Sequence, residues 1–255
     1  MKEKEVKFFN RNHKKISENL LTEIIDEFDN LREGKGKRNV IKIIKINGVV
    51  LNIKSFKLPN LINKIVYNFF RKSKARRSFE YGNKLMKLGI KTPIPIAFFE
   101  YSTLIYFKKS YYVSEQLLYD LTYRELINNK TYPDFENILR AFTRFTFKLH
   151  ESGINFLDHS PGNTLIKKTN EGYEFYLVDL NRMKFQKMDF QARMKNFAKL
   201  SPKDDMLDIM CDEYAKLYPL KSKNKILDMM YFYSNKFSTY YNKQEKFKKR
   251  YYFWR

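Results

Sequence analysis

The chain has 255 residues, 43% of them hydrophobic, with 23 Phe and 19 Tyr. That is enough apolar surface for one sizeable core or for two lobes sharing a cleft, and it excludes a disordered composition. Fifty Lys and Arg against 28 acidic residues give a net charge of +22, which says nothing of fold but points to anionic partners: nucleic acid, a membrane face or an acidic substrate. One cysteine, Cys211, and three histidines exclude a disulfide framework and a Cys- or His-built metal centre.

The opening segment MKEKEVKFFNRNHKK lacks the apolar run of a secretory signal. No stretch reaches the roughly 18 apolar residues of a membrane span. The expected location is cytoplasmic, peripheral to the inner membrane.

Residues 14–33 read as an amphipathic helix, with Ile16, Leu20, Ile24, Phe28 and Leu31 on one face. The polar stretch EGKGKRN follows. Two β-branched runs, VIKIIKI and VVLNIKSF, flank Asn47-Gly48, a pair suited to a tight hairpin because both positions tolerate positive φ. Residues 60–88 are helical in pattern, in two pieces. Gly89 stops the second piece, and Pro93 and Pro95 force an extended exit. IPIAFFEY, STLIYFKK and SYYVSEQL read as three further strands. From Tyr119 onward the pattern is helical, broken by a β-rich island at 163–179. Cys211, in MLDIMCDEY, takes a core-facing helix position.

The chemistry concentrates in LHESGINFLDHSPGNTLI and YEFYLVDLN. Asp158 and Asn163 are five residues apart across a Pro-Gly turn; Asp179 ends the second of two apolar runs that follow. Phosphoryl transfer to a hydroxyl needs a carboxylate to orient the nucleophile and take its proton. The phosphates of ATP need a hard divalent cation, which takes oxygen ligands. Asp158 fits the first role, Asn163 and Asp179 the second. An isolated D-x-x-x-x-N would read as a cap and a turn; His150 and Gly153 upstream and the strand-ending Asp179 argue for more. In the first part of the chain, Lys54 projects from a half-buried strand as a candidate phosphate anchor. Glu80 is the only acid between Lys54 and Glu100, hence its expected partner.

With SKARRSFEYGNKLMKLGIKTPIPIAFFE and SYYVSEQL, these segments resemble the lipopolysaccharide core kinase family of Kdo and heptose kinases, over roughly residues 40–215. The resemblance implies an α+β, two-lobed protein-kinase-like fold: one domain over 1–255, with a β-rich N-lobe at 1–116 and a mostly α-helical C-lobe at 117–255. It implies ATP and Mg2+ as cofactors. Asp158 would be the catalytic aspartate, Lys54 would contact the α/β phosphates and pair with Glu80, and Asn163 and Asp179 would hold magnesium. Ser114, Glu115 and Leu117 would lie in the hinge against which adenine packs. The expected reaction is ATP-dependent phosphorylation of a Kdo or heptose hydroxyl in the inner core.

The departures bear on substrate. Phe156 stands where a His usually precedes the catalytic Asp by two, Leu157 replaces the Arg common in protein kinases, and Asp179 is followed by Leu180-Asn181. No Ala-Pro-Glu motif follows. These favour a small-molecule kinase over a regulated protein kinase. Gly34 and Gly36 are the only candidates for a phosphate-binding glycine loop.

RKSKARR at 71–77 has five basic residues of seven, and KQEKFKKRYYFWR ends the chain. Basic segments edged with aromatics suit an anionic bilayer, where each cation adds about 1 kcal/mol. The expected partners are therefore a lipid-linked anionic sugar and an anionic membrane surface, with nucleic acid disfavoured. The alternatives are another kinase-like phosphotransferase, acting on protein or small molecules, and a non-catalytic basic pseudokinase scaffold.

Overall fold

The computed structural model describes residues 4–10, 15–31, 39–56, 72–103 and 107–251, except the side chains of Lys4, Lys248 and Tyr251. The expected loop at Gly34–Gly36, the first helical piece after Asn60 and the terminal Tyr252, Phe253 and Trp254 lie outside the described residues. The chain forms two compact units. One comprises Met1–Leu118 with Asp179–Asn181; the other comprises Tyr119–Val178 with Arg182–Arg255.

The first unit is built on a five-stranded antiparallel sheet ordered β1-β4-β5-β3-β2. Its strands are β1 (Lys4–Phe9), β2 (Asn39–Ile46), β3 (Val49–Phe56), β4 (Pro95–Ser102) and β5 (Phe107–Glu115). Helix α1 (Glu18–Asp26) follows β1, and α2 (Lys74–Lys87) follows β3. Side chains alternate across a strand, so the sheet serves two packing layers. Ala97 and Phe99 join Leu51, Ile53, Val113 and the α1 residues Leu21 and Ile25. Phe98 points the other way, to Ala75 and Phe79 of α2.

The hairpin forms as expected, with Asn47 at φ 49° and Gly48 at φ 75° joining Ile46 to Val49. Two expectations are corrected. Helix α1 is shorter than 14–33, because Ser17 caps its start by accepting from Leu20 N–H at 3.2 Å. The turns after it are held by buried Lys42, whose Nζ donates to the Phe28 and Leu31 carbonyls at 2.6 and 2.5 Å. The segment expected as two strands after Ser102 gives one, β5, because Ser110 is not a break but a buried strand residue. The charged edge strand β1 was not expected; its lysine-rich pattern hides the alternation, as edge strands often do.

The second unit begins with β6 (Leu121–Thr122), α3 (Tyr123–Asn128) and α4 (Phe135–Glu151). Then come β7 (Ile154–Phe156), β8 (Thr164–Thr169), β9 (Gly172–Leu177) and β10 (Met183–Phe185). Three helices close it: α5 (Phe190–Ala198), α6 (Asp204–Leu217) and α7 (Lys223–Tyr251). The β8–β9 hairpin is the expected island. The ribbon of β7 with β10 is new, and it frames the loop that carries Asp158 and Asn163. Phe142, Phe197, Leu207 and Met210 lie in one core cluster. Cys211 is buried there as its helical position implies, with burial pushing its thiol up to about 11.

Candidate active site

In the first unit the candidate residues sit on the sheet and on the short segment Asp179–Asn181. Lys54 alternates with the core residues Leu51 and Ile53 and so emerges on the opposite face of β3. Its Nζ donates to Asp179 Oδ1 at 2.8 Å and lies 5.3 Å from the Phe56 ring centroid. Asn181 Nδ2 donates to the same oxygen at 2.7 Å. Asp179 has φ 57°, a left-handed conformation that Asp tolerates better than most residues. Leu180 behind it is buried against α2 at Gly82. A Cβ there would meet Pro95 Cγ at 2.7 Å and Leu180 Cδ1 at 3.3 Å, so only glycine lets the helix come this near.

The expected Lys54–Glu80 pair is not formed. Glu80 accepts from Lys72 Nζ at 2.8 Å and from Arg76 Nε at 2.9 Å. Arg76 stands one helical turn before Glu80 on α2, a local pairing that the chain geometry supplies. Burial pushes the Glu80 carboxyl up, but the bonds from Lys72 and Arg76 outweigh it and leave it below its usual value. Sequence counting missed that Lys54's carboxylate comes from a residue 125 positions later.

The segment expected as the hinge closes β5. Ser114 is buried and paired with Asn52 of β3. Glu115 N–H donates to Ile94 O at 3.0 Å and Gln116 N–H to Val50 O at 2.8 Å. Asn52 Nδ2 bonds Gln116 Oε1 at 2.7 Å, and Gln116 Nε2 bonds the Leu117 carbonyl at 3.0 Å. The segment is thus held as a fixed edge. A cleft of about 560 Å3 in this unit, lined by Phe8, Phe79, Phe98, Arg76 and Lys87, includes neither Lys54 nor Asp179.

In the second unit, Asn163 Nδ2 donates to the Asp158 carbonyl at 2.8 Å, closing the loop across Pro161-Gly162. Asn163 O accepts from Val178 N–H at 3.0 Å, which fixes the loop to the strand end that precedes Asp179 in the chain. A buried polar network holds the loop from below. Asn196 of α5 donates from Nδ2 to the Phe156 carbonyl at 2.9 Å. Its Oδ1 lies 2.9 Å from His159 Nδ1 and 3.3 Å from His150 Nε2, and His150 Nδ1 lies 2.9 Å from Tyr214 Oη. An amide oxygen only accepts, so both imidazoles present N–H to it, and Tyr214 donates to His150. Burial pushes His150 down to about 3 and His159 down to about 4, so both are neutral. His150 was visible as a landmark; its work is structural. Asn196, His159 and Lys199 were missed. Lys199 Nζ lies 3.9 Å from Asp158 Oδ1 and donates to the Leu157 carbonyl.

Among the described residues no group of three or more His, Cys, Asp or Glu side chains could hold a metal ion. Each unit holds one oxygen donor of the kind a hard cation takes: in the second, Asn163, whose amide nitrogen is engaged by the loop, and in the first, Asp179, whose two bonds both end on Oδ1. Among the described residues no helix is long and apolar enough to cross a membrane.

The model of the family described as "Lipopolysaccharide kinase (Kdo/WaaP) family" matches residues 24–219. Among solved structures, "WaaP in complex with acyl carrier protein" superposes with a TM-score of 0.59 at 17% identity, covering 84% of this chain and 91% of that one. A co-crystal structure of WbdD with the kinase inhibitor LY294002 has a TM-score of 0.49 at 13% identity, covering 80% of this chain and 45% of that one. No curated protein sequence matches.

Proposed function

We propose the following catalytic assignment for a chain that belongs to the lipopolysaccharide kinase (Kdo/WaaP) family. The protein is an ATP-dependent kinase of lipopolysaccharide core sugars with a kinase-like fold, β-rich first and helical second. Asp158 orients the acceptor hydroxyl and takes its proton as the sugar oxygen bonds the γ-phosphorus and the bond to ADP breaks. Lys54 meets the phosphates, and the edge from Ser114 through Glu115 to Leu117 seats adenine. Asn163 and Asp179 would hold magnesium, which when bound neutralises phosphate charge. Catalysis is otherwise positioning and electrostatics. The two units then correspond to the lobes of one kinase domain.

The observation that carries this assignment is the pinned Asp158–Asn163 loop, closed by its own amide and held from below by Asn196. The acceptor we favour is Kdo attached to lipid A, met at the cytoplasmic face of the inner membrane. Helix α7 supports the membrane reading. Its buried residues Ile226, Met230 and Ser234 end halfway along. Beyond them Tyr240, Tyr241 and Phe247 are exposed among Lys236, Lys243, Lys246 and Arg250.

ATP turnover on Kdo-lipid A is the direct test. Wild type is expected to transfer phosphate and Asp158→Ala to lose it; equal activity in the two would sink the mechanism.

A further inference from the structure

Leu157, the residue before Asp158, is gripped from two sides. Its N–H donates to the Arg182 carbonyl at 3.0 Å, in continuation of the β7–β10 ribbon. Its own carbonyl accepts from Lys199 Nζ. Lys199 forms the C-cap of α5, and Lys195 stands one turn earlier on the same helix. Arg182 and Lys195 are both exposed. Both repel the Lys199 charge, while Asp158 attracts it; burial and that repulsion leave the amine below its ordinary value.

Arg182 and Lys195 thus stand close enough to Lys199 to repel it, with the Asp158 carboxylate on the other side of the balance at 3.9 Å. Such an excess is unfavourable in itself, since like charges in partly desolvated surroundings repel. Another cation of the helix shows what a purely structural one looks like here. Arg193 is buried, bonded to Glu151 at 2.5 Å and stacked 5.0 Å from the Tyr218 ring centroid. Arg182 and Lys195 are instead held out beside the loop by backbone and helix geometry.

We propose that Lys199, Lys195 and Arg182 form an acceptor-side anion site, which holds a carboxylate or phosphate of the sugar acceptor while its hydroxyl faces Asp158. The proposal rests on the catalytic assignment above for the role of Asp158. Lys199 serves twice, positioning the loop through Leu157 and contributing charge. Lys195 and Arg182 contribute charge alone. An acceptor with an acidic group would relieve the repulsion among the three, so that selectivity for anionic sugars is built into the loop's surroundings.

The test uses Kdo-lipid A, its carboxyl-reduced form and its dephosphorylated form, with wild type, Lys195→Gln, Arg182→Gln, Lys199→Gln and Lys199→Arg. For each of the first two variants the acceptor KM should rise about tenfold, the worth of one charge-assisted contact, with the ATP KM unmoved. One of the two altered acceptors should abolish that difference and thereby name the anion. Lys199→Gln should also lower kcat, and Lys199→Arg should restore the acceptor KM. A rise in ATP KM, or variant effects that persist on both altered acceptors, would overturn the site. Equilibrium binding of Kdo-lipid A micelles reads the same ranking without turnover. Wild type that binds but does not transfer would count against the catalytic assignment alone; binding indifferent to the three cations would count against this site.

Discussion

The two units secure their candidate residues by different physics. In the first, Lys54, Asp179 and Glu80 are charged, partly exposed groups held by ion pairs on a sheet and a helix. In the second, Asp158 rides on a loop whose underside is a neutral, fully buried network of Asn196, His150, His159 and Tyr214. Exposed pairs exchange partners at little cost, because water and salt compensate. A buried network has no such alternative, and each lost bond leaves an orphaned polar group. On the proposed assignment, the first arrangement suits residues that follow a nucleotide, and the second suits a base whose position relative to an incoming hydroxyl is fixed.

Kinetics should divide along the same line with the largest effects. Asp158→Asn is expected to lower kcat by about 10²–10⁴-fold, the usual worth of a positioned general base, with little change in ATP KM. Lys54→Met should lower kcat and raise ATP KM together. Steady-state kinetics with ATP and acceptor varied separately decide it, and an ATP KM effect confined to Asp158→Asn would break the comparison.

Acid should loosen the second unit first. His150 and His159 have folded values of about 3 and about 4, below the ordinary 6.5. The unfolded chain therefore binds more protons below pH 6.5, and stability falls as pH drops towards 4. The expected slope is roughly 1.4 kcal/mol per pH unit for each histidine. The described residues of the first unit include no histidine. Its depressed carboxyl, Glu80, contributes stability that is present above 4.5 and lost below it. Hydrogen exchange between pH 6.5 and 5, corrected for intrinsic rates, should show protection falling in α4 and α5 while β3 and β5 hold. Uniform loss would contradict the assignment of neutral histidines.

Removing the hub sharpens the contrast further. Asn196→Ala orphans the Phe156 carbonyl and both imidazole N–H groups, at about 1–3 kcal/mol for each buried group. The matched change in the first unit, Asn52→Ala, removes the half-buried bond to Gln116 and should cost only about 1 kcal/mol. Denaturant midpoints of the two variants give the comparison directly.

What was legible in the sequence was local. Asn47-Gly48 announces its hairpin because the turn chemistry lies in two adjacent residues, and the β8–β9 island lies between its own turn signals. Asp158, Asn163 and Asp179 were singled out by their spacing together with His150 and Gly153 upstream and the apolar runs that join them, and the structure closes the Asn163 amide onto the Asp158 carbonyl. Tertiary supply was not legible. The strands β7 and β10 have three residues each and pair across 26 residues of loop and hairpin (157–182), too short for any periodicity. Asn196 and Lys199 reach the loop from a helix some forty positions on, with nothing in their own neighbourhood to mark them. Glu80 was chosen as Lys54's partner because it was the lone acid nearby in sequence, whereas Asp179 stands 125 positions later in the chain.

Glu80 therefore carries the finest test. Its partners Lys72 and Arg76 have side chains 53% and 39% exposed, so Glu80→Gln should cost between zero and about 1 kcal/mol of stability. If Lys54 works with Asp179 as the geometry has it, the same variant should lower kcat/KM by less than about tenfold, a limit of 1.4 kcal/mol. If Lys54 turns to Glu80 during turnover, the loss should approach that of Lys54→Met. A double-mutant cycle of Lys54→Met with Glu80→Gln separates the two: additive losses keep Glu80 a surface partner of Lys72 and Arg76, and strong coupling makes it the lysine's working anchor.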